Sequence, residues 1–572
     1  MEKELLYREW LKRDLEDNDL NKELKSIEGD INGINDRFYK NLEFGTGGLR
    51  GIIGAGTNRM NIYTVRRATQ GLCDYLNEKY KKPSAAIAFD SRNKSELFAR
   101  EAACVFAANG IKAFIFKELM PTPVLSFTVR HLGCSGGVVI TASHNPAKYN
   151  GYKAYGDDGC QMNLENSEKV IEYVEKVDMF NGPKSINFED GLKTGMIEFI
   201  DDSVLNEYIK NVKAQRINPE VCEKAGLKIV YTPLSGAGNK PVRRVLSEIG
   251  INDVTVVKEQ QEPDGNFPTC PFPNPEIKEA LELGLRLSRQ CNPDLLIATD
   301  PDSDRVGIAV YDGEDYRLMT GNEVGVLLFN YIAAQRTAKG TMPKAPIAIK
   351  TIVSTPLIDD IAKEYGIEVI NVLTGFKFIG EQILKLEQNN EENRYVFGYE
   401  ESYGYLIGTY ARDKDAVVGA MMISEMASYY KLLNKTLVDV LNEIYKKYGR
   451  YLNAQDSYTF EGEKGMITMN GIMEKLRGDS PREIAGKKVA LVSDYQESIA
   501  YDRLREQKKE INLPKSNVLS YILEDGSSVM IRPSGTEPKI KVYITTKGKD
   551  LPGAEQEKER LSKAFCGLMG IN

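Results

Sequence analysis

Short apolar segments alternate with amphipathic segments along most of the chain from residue 44 onward. Amphipathic stretches such as 96–110 and 240–250 separate the apolar ones and predict helices. This alternation is typical of α/β units, so the predicted fold class is α/β. Strands are predicted for AAIAF (85–89), GGVVIT (136–141), GLKIVYT (226–232), DLLIAT (294–299), APIAIKT (345–351), RYVFGY (394–399), VALVS (489–493), SVMIR (528–532) and KIKVYIT (539–545).

The length of 572 residues predicts three to five domains. The loop between SVMIR and KIKVYIT is too short for a crossover helix, so these strands should pair antiparallel in a smaller α+β domain. The first 40 residues carry an apolar stripe of helical spacing that includes Leu5, Trp10 and Leu15. The predicted division is an N-terminal helical extension packed on the first domain (1–40) and four domains at 41–210, 211–325, 326–455 and 456–572.

Composition excludes several classes of protein. Lys and Arg number 75 against 82 Asp and Glu, so the net charge of −7 argues against a broadly basic nucleic-acid binder. No apolar run approaches the length of a membrane span, and the N-terminus is too charged for a secretory signal. The eight cysteines include no C-x-x-C pair, which argues against a disulfide framework and predicts a cytoplasmic location.

Histidine is scarce, with only His131 and His144 in the chain. A zinc site built on several histidines is therefore excluded, and a Ser-His-Asp hydrolase has few candidate bases. Any metal is expected to be held by oxygen, which favours a hard cation such as Mg²⁺.

Ser143 follows the predicted strand GGVVIT in a loop with His144, Asn145 and Pro146. A serine at a strand end beside a histidine is a candidate nucleophile. An Asn-Pro turn whose serine bonds its own backbone is the more common arrangement, and the loop alone leaves both open.

Three aspartates, Asp300, Asp302 and Asp304, follow the strand DLLIAT directly. Carboxylates crowded in this way repel one another unless a cation or a proton neutralises them, which favours a cation site over a solvated turn. An EF-hand is excluded, because its Gly and Glu positions are here Arg305 and Tyr311.

Two further loops carry polar side chains at strand ends. Glu400 and Ser402 follow RYVFGY and suit either sugar hydroxyls or a helix N-terminus. Arg532, Ser534 and Thr536 surround Gly535 in a loop that suits a phosphate better than a plain hairpin. No P-loop motif occurs, and the G-x-S-x-G at 133–137 precedes its strand where a nucleophile elbow would follow one.

Together these loops resemble the α-D-phosphohexomutase superfamily, the phosphoglucomutases and phosphomannomutases. Chain length and LPKSNVL (513–519) are most similar to its longer phosphoglucomutase branch. The motifs that carry the resemblance run in order: FGTGGLRG (44–51), AFDSRN (88–93), TASHNPAKYNGYK (141–153), PDGNFPTCPFPNPE (263–276), DPDSDR (300–305), LTGFKFIGE (373–381), YEESYGY (399–405), RDKD (412–415) and RPSGTEPKIKV (532–542).

The resemblance implies three similar mixed α/β domains and a smaller C-terminal α+β domain around a central cleft, each giving one loop to it. It implies that Ser143 carries a phosphoryl group and binds one Mg²⁺ together with the three aspartates. It implies that Lys153, with Arg50, is the general base, and His144 is the competing candidate. A cationic neighbour is expected to lower the pKa of Lys153. The implied substrate-binding residues are Arg305, Thr374, Gly375, Lys377, Glu400, Ser402, Lys414, Arg532, Ser534, Gly535 and Thr536.

The implied activity is interconversion of glucose 1-phosphate and glucose 6-phosphate through a phosphoserine and glucose 1,6-bisphosphate, which also primes the enzyme. The expected partner is a small phosphosugar, with no nucleic acid or membrane, and the chain should be a monomer or weak dimer. Some relatives carry a histidine where this chain has Gly404, which strengthens the case for Lys153. The Glu-Glu-Ser sequence of the sugar loop leans towards glucose. Phosphomannomutase, phosphopentomutase, a phosphosugar phosphatase and an inactive scaffold are the alternatives.

Overall fold

The computed structural model describes residues 2–44, 47–460, 462–534 and 539–571. The chain forms two compact units. The first contains residues 1–347 and 376–437, and the second contains residues 348–375 and 438–572.

Helices and strands alternate through most of the described chain. The helices are α1 (Glu2–Lys12), α2 (Asn18–Ser26), α3 (Ile31–Phe38), α4 (Ile62–Lys79), α5 (Ser95–Ala108), α6 (Thr122–His131), α7 (Leu164–Lys176), α8 (Phe188–Thr194), α9 (Asp202–Lys213), α10 (Val221–Ala225), α11 (Asn239–Glu248), α12 (Lys278–Cys291), α13 (Gly321–Ala338), α14 (Leu357–Tyr365), α15 (Phe376–Gln388), α16 (Ala416–Leu432), α17 (Leu437–Tyr448), α18 (Gly462–Gly478) and α19 (Leu551–Met569). Short 3₁₀ turns lie at Lys258–Gln260 and Glu392–Arg394.

The predicted strands are all present, within a residue or two of their predicted ends at most positions. The strands are β1 (Gly48–Ile52), β2 (Ser84–Phe89), β3 (Lys112–Ile115), β4 (Gly136–Ile140), β5 (Tyr149–Gly156), β6 (Ile197–Phe199), β7 (Lys228–Thr232), β8 (Asp253–Val256), β9 (Leu295–Thr299), β10 (Val306–Tyr311), β11 (Tyr316–Leu318), β12 (Ile347–Thr351), β13 (Glu368–Val372), β14 (Tyr395–Glu400), β15 (Gly404–Leu406), β16 (Arg450–Thr459), β17 (Glu483–Ile484), β18 (Lys487–Asp494), β19 (Ile499–Asp502), β20 (Gln507–Glu510), β21 (Leu519–Leu523), β22 (Ser528–Pro533) and β23 (Lys539–Gly548).

The first sheet of the first unit has the order β1-β5-β4-β2-β3-β6. Strand β4 runs parallel to β2 and antiparallel to β5. Every residue of β4 is buried, as expected for a strand covered on both faces. Ligand sites in such sheets lie beyond the carboxyl ends of the strands, and the loop that follows β4 carries Ser143.

The second sheet of the first unit has the order β11-β10-β9-β7-β8. Strands β9 and β10 pair antiparallel, with Thr299 opposite Val306. Residues 300–305 are therefore the loop of a hairpin, with Ser303 at its left-handed position (φ 50°). In the same unit β14 and β15 form a tighter hairpin, in which Glu400 is opposite Gly404.

The second unit is built on an antiparallel sheet of order β16-β23-β22-β21-β18-β19-β20, with β17 paired to β18. Strands β22 and β23 pair antiparallel from Ser528–Thr545 to Pro533–Ile540, as the short loop between them predicted. Helices α18 and α19 contribute apolar side chains such as Met473 and Phe565 to the core of this sheet. Residues 348–375 supply α14, β13 and most of β12 to the same unit.

The N-terminal helices α1–α3 share a hydrophobic core with the first sheet. Trp10 is 1% exposed, and its ring makes edge contacts with Phe38, Tyr63 and Phe180 at centroid distances of 5.9, 5.7 and 5.0 Å. Leu5 of the predicted stripe is 63% exposed instead. In the described part of the chain no helix combines the length and the apolarity that crossing a membrane requires.

We expect Trp10→Ala to lower the free energy of unfolding by about 3–5 kcal/mol, because it opens a cavity among three aromatic rings. Urea unfolding followed by far-UV circular dichroism measures the change. Leu5→Ala on the same helix is the matched control and should stay within about 0.5 kcal/mol of the parent. A Trp10→Ala loss as small as that of the control would mean that these helices contribute little to the core.

Candidate active site

Ser143 lies in the loop after β4 with its side chain turned towards the aspartates of the β9–β10 hairpin. Its backbone is left-handed (φ 52°) and its amide donates to Thr141 Oγ1 at 2.8 Å. Its Oγ donates to Asp300 Oδ2 at 2.8 Å and lies 3.1 Å from His144 Nδ1. The structure therefore joins two motifs that are 157 residues apart in the chain.

The three aspartates of the hairpin loop form one buried cluster. Asp300, Asp302 and Asp304 each offer an oxygen within 4.8 Å of the others. Burial raises the pKa of Asp300 well above its usual value, and the neighbouring carboxylates Asp302 and Asp304 raise it further. Burial acts in the same direction on Asp304, but Lys414 and Lys153 outweigh it and hold the pKa of this carboxyl well below its usual range.

Two lysines lie against this cluster and offset part of its charge. Lys153 Nζ lies 2.7 Å from Asp302 Oδ2 and 3.2 Å from Asp304 Oδ2. Lys414 Nζ lies 3.2 Å from the same Asp304 oxygen and 4.0 Å from Glu400 Oε1. Ion pairs among groups this buried are much stronger than exposed ones, since water screens them little.

The predicted lowering of the Lys153 pKa is wrong for this structure. Burial acts to lower the pKa of Lys153, but Asp302 and Asp304 outweigh burial and raise it above the usual value. Arg50 lies on β1 opposite Gly151, two residues before Lys153 on the neighbouring strand β5. It donates to Asn145 Oδ1 at 3.4 Å. Contact with two carboxylates therefore decides the direction of the Lys153 pKa shift, and the cationic neighbour Arg50 does not.

The cluster fits a divalent cation. Asp302 Oδ1 and Asp304 Oδ1 are buried and accept no hydrogen bond from any described residue. Such oxygens are costly to bury unpaired and are the ligand type that Mg²⁺ prefers. Asp302 Oδ2 is oriented by Thr122 Oγ1, which donates to it at 2.8 Å.

His144 and Arg305 lie beside the cluster. Burial lowers the pKa of His144 well below its usual value, and the cations Arg305 and Arg50 lower it further. The imidazole is therefore neutral at pH 7. Arg305 donates to Glu276 Oε1 at 2.7 Å, which ties the end of the PDGNFPTCPFPNPE motif to the aspartate loop.

Glu400, one of the predicted sugar-recognition residues of the first unit, lies beside Lys414. Ser402 Oγ donates to Glu400 Oε1 at 2.9 Å in the β14–β15 turn. A Cβ on Gly404 would lie 2.1 Å from Lys414 Cδ, so glycine at this position makes room for the lysine. Lys377, at the start of α15, is 8% exposed, and burial lowers its pKa.

The second unit brings together two other predicted residues. Arg532, on β22, donates through its guanidinium to Thr374 Oγ1. Gly375 is left-handed (φ 113°), and the Ser534 amide donates to the Lys539 carbonyl at 2.7 Å. Gly535 and Thr536 lie outside the described residues.

Sequence reasoning missed several residues of the site. Thr122 orients Asp302, and Glu276 pairs with Arg305. Tyr155 donates to Asp413 at 2.7 Å, and Asp413 in turn lies 3.3 Å from Lys414 Nζ. Asp413 lies within the RDKD motif and Glu276 ends the PDGNFPTCPFPNPE motif. The residues next to them in the chain do not indicate which side chains they contact.

Family models match four successive parts of the chain. They are described as phosphoglucomutase/phosphomannomutase alpha/beta/alpha domain I at residues 41–180, domain II at 206–313, domain III at 320–448, and the C-terminal domain at 472–562. The chain belongs to the phosphoglucomutase/phosphomannomutase family. The predicted family and the four-domain α/β fold class are thereby confirmed. The domain ends predicted from the sequence, and the central cleft, stay predictions.

Relatives of this chain within the phosphoglucomutase/phosphomannomutase family are named phosphoglucomutase. The one from Staphylococcus aureus (strain bovine RF122 / ET3-1) is 38% identical over 514 residues, which are 90% of this chain and 91% of the relative. The one from Staphylococcus saprophyticus is 36% identical over 522 residues, 91% and 93% of the two chains. The predicted phosphoglucomutase activity, and with it the class of isomerase, is confirmed.

Solved structures of the family share the fold at low sequence identity. Phosphoglucomutase pp63/parafusin from Paramecium, in an open form, has a TM-score of 0.69 at 17% identity and covers 93% of this chain and 96% of its own. A phosphoglucomutase/phosphomannomutase family protein from Burkholderia thailandensis has a TM-score of 0.66 at 16% identity, with coverage of 92% and 98%.

We expect Gly404→Ala to lower kcat/KM for glucose 1-phosphate by roughly tenfold or more, because displacing Lys414 breaks a charge-assisted contact with Asp304. A coupled assay for glucose 6-phosphate measures the loss. Gly471→Ala is the matched control, since a Cβ there meets nothing within 4 Å. Activity of Gly404→Ala equal to that of the control would show that the position of Lys414 is unimportant.

Proposed function

We propose that this phosphoglucomutase works through a phosphoryl group carried on Ser143 and a glucose 1,6-bisphosphate intermediate. The observation that supports the proposal most is the position of Ser143 Oγ, 2.8 Å from Asp300 in a buried cluster of three carboxylates. A hydroxyl at this place, once phosphorylated, puts phosphoryl oxygens next to a cation site. Phosphoryl transfer depends mainly on such positioning and charge neutralisation.

The proposed reaction has two transfers. The phosphoryl group leaves Ser143 Oγ for one sugar oxygen, with cleavage of the serine O–P bond, and gives the 1,6-bisphosphate. The bisphosphate then turns round, and Ser143 Oγ takes the phosphoryl group from the other end. Atoms and charge balance over the cycle, because the serine ends as phosphoserine again.

We propose one Mg²⁺ per chain, held by Asp300, Asp302 and Asp304 together with the phosphoserine. When bound, it supplies charge neutralisation for the transferring phosphoryl group. The two unpartnered carboxylate oxygens, Asp302 Oδ1 and Asp304 Oδ1, support this assignment. A solved N-acetylphosphoglucosamine mutase from Aspergillus fumigatus was crystallised with GlcNAc-6P and magnesium; it has a TM-score of 0.50 at 13% identity and covers 93% of this chain and 96% of its own.

Lys153 is proposed as the general base for the sugar hydroxyl, with Arg50 beside it on the neighbouring strand. Asp302 and Asp304 raise the pKa of Lys153, so a cation that neutralises these carboxylates would favour release of its proton. His144 is the competing base, since a neutral imidazole 3.1 Å from Ser143 Oγ can accept a proton there.

The remaining predicted residues are proposed to bind the substrate. Glu400 and Ser402 suit sugar hydroxyls, because they present an acceptor and a hydroxyl at a strand end. Arg305, Lys377 and Lys414 supply positive charge for phosphate, as does Arg532 of the second unit, and Ser534 adds a hydroxyl donor. Thr374, Gly375, Gly535 and Thr536 are the other residues proposed to bind the substrate.

Glucose phosphate is the proposed substrate, and mannose and pentose phosphates are the alternatives. Turnover of glucose, mannose and ribose 1-phosphates, measured side by side with a bisphosphate primer and Mg²⁺, distinguishes them. Cytoplasmic location is proposed too, in keeping with eight cysteines that are all free thiols. The monomeric or weakly dimeric state stays a prediction.

Ser143→Ala should lose nearly all turnover of glucose 1-phosphate while keeping its fold, since no oxygen is left to carry the phosphoryl group. Ser135→Ala is the matched control, because Ser135 directly precedes β4, at the opposite end of this strand from Ser143. Inorganic phosphate released by the parent protein is measured in the same assay. Near-normal mutase activity of Ser143→Ala would exclude the phosphoserine, and phosphate release at the rate of turnover would indicate a phosphatase.

Asp302→Asn should abolish the rise in melting temperature that Mg²⁺ gives to the parent protein. A ligand at 100 times its dissociation constant stabilises a fold by about 2.7 kcal/mol, so the parent shift is large enough to measure. Asp312→Asn, in a turn at the other end of β10, is the control and should keep the shift. An undiminished shift in Asp302→Asn would place the metal elsewhere.

A further inference from the structure

Arg92, in the AFDSRN motif, lies against the loop that carries Ser143 and binds its backbone. The guanidinium donates to the Ser143 carbonyl from Nε at 3.2 Å, and to the Pro146 and Tyr149 carbonyls at 3.0 and 3.1 Å. Its remaining nitrogen donates to the Ser143 and Asn145 carbonyls. One side chain thus fixes four carbonyl groups between residues 143 and 149.

Arg92 is itself held in place from the other side. It is 3% exposed, its Nε lies 3.4 Å from Asp90 Oδ2, and its guanidinium lies 5.0 Å from the centre of the Phe267 ring. A Cβ on Gly265 would lie 2.4 Å from the Asn93 amide nitrogen, so the PDGNF segment packs directly on residues 92–93. Asp90 and the PDGNF segment (263–267) therefore hold this arginine.

A second set of hydrogen bonds holds the amide side of Ser143. Asp90 accepts from the Arg92 amide at 2.9 Å and from Thr141 Oγ1 at 2.6 Å. Thr141 Oγ1 in turn accepts from the Ser143 amide at 2.8 Å. Both peptide groups that flank the Ser143 side chain are thereby tied to residues 90–92.

Ser143 needs this support because its backbone is left-handed, with φ 52°. Residues other than glycine adopt that conformation only where surrounding structure imposes it. The direction of the Ser143 Oγ towards Asp300 depends on that backbone conformation.

We propose that Arg92 is a positioning residue, which aligns Ser143 for phosphoryl transfer by holding the carbonyl groups of its loop. The inference rests on the proposed phosphoserine mechanism and deepens it. Lysine cannot replace the arginine, since one ammonium point charge does not span four carbonyls. A purely structural role would lower stability and leave the transfer rate unchanged.

The test is a single-turnover measurement of Ser143 phosphorylation. Parent protein and Arg92→Lys are mixed with Mg²⁺ and glucose 1,6-bisphosphate, quenched at intervals, and analysed by mass spectrometry of the peptide that contains residue 143. We expect phosphorylation of Arg92→Lys to be roughly ten- to a hundredfold slower, as for a misplaced reacting group. The KM for glucose 1-phosphate and the half-saturating Mg²⁺ concentration should change less than twofold.

Arg66→Lys is the matched control. Arg66 is a partly buried arginine of the first unit, paired with Glu16 and Glu101. In the contacts of the described residues it touches no part of the Ser143 loop. Its variant should be phosphorylated at the parent rate. Folding of the parent and of each variant is checked by thermal unfolding followed by the fluorescence of Trp10, since the chain has 1 tryptophan.

Each outcome decides the matter. Phosphorylation of Arg92→Lys at the parent rate overturns the positioning role and leaves the proposed mechanism intact. A parent protein that carries no phosphate on Ser143 either before or after mixing overturns the mechanism, and this inference with it. If Arg92→Lys does not fold, Thr141→Val replaces it, because it removes both the hydrogen bond from the Ser143 amide and the one to Asp90. Phosphorylation of Thr141→Val should be about three- to tenfold slower, and an unchanged rate overturns the inference.

Discussion

Three carboxylates in a space only a few ångströms wide, away from water, repel one another strongly unless positive charge lies between them. In this protein Lys153 and Lys414 supply that charge, from β5 and from the loop before α16. The effect is visible in the opposite pKa directions of Asp300 and Asp304, since the first lacks a lysine partner and the second has two. The buried cluster, and the serine hydroxyl bound to it, depend on this compensation.

The strand topology explains how residues from distant parts of the chain come together in one site. The Ser143 loop follows the carboxyl end of β4, and the aspartates occupy the turn between β9 and β10. The β14–β15 turn adds Glu400, with Gly404 small enough to admit the Lys414 side chain. Each loop begins at the end of a buried strand, so the sheets bring its polar residues to one place.

Much of this could be predicted from the sequence, because strands and strand-end loops leave local signals. Apolar runs predicted the positions of β2, β4 and β9. The short loop between SVMIR and KIKVYIT predicted that β22 and β23 pair antiparallel, as they do. The crowded aspartates favoured a cation site over a solvated turn, and in the structure all three are buried and close together.

The direction of the Lys153 pKa could not be predicted in this way. It is set by Asp302 and Asp304, which lie about 150 residues away from Lys153 in the chain. Sequence motifs relate only residues that are close in the chain, so they do not predict this contact. Arg92 was missed for a related reason. Its partners are backbone carbonyls, which every residue possesses, so the sequence around it carries no complementary charge to indicate them.

The first family model begins at residue 41, yet the hydrophobic core of that domain extends further towards the N-terminus. Tyr7, Trp10, Leu24 and Phe38 pack in one cluster with Ile62, Val65 and Leu72 of α4. A recombinant fragment that began at residue 41 would expose the hydrophobic side of α4 to solvent and would tend to aggregate. Homology-defined limits are thus poor guides to where this polypeptide can be divided.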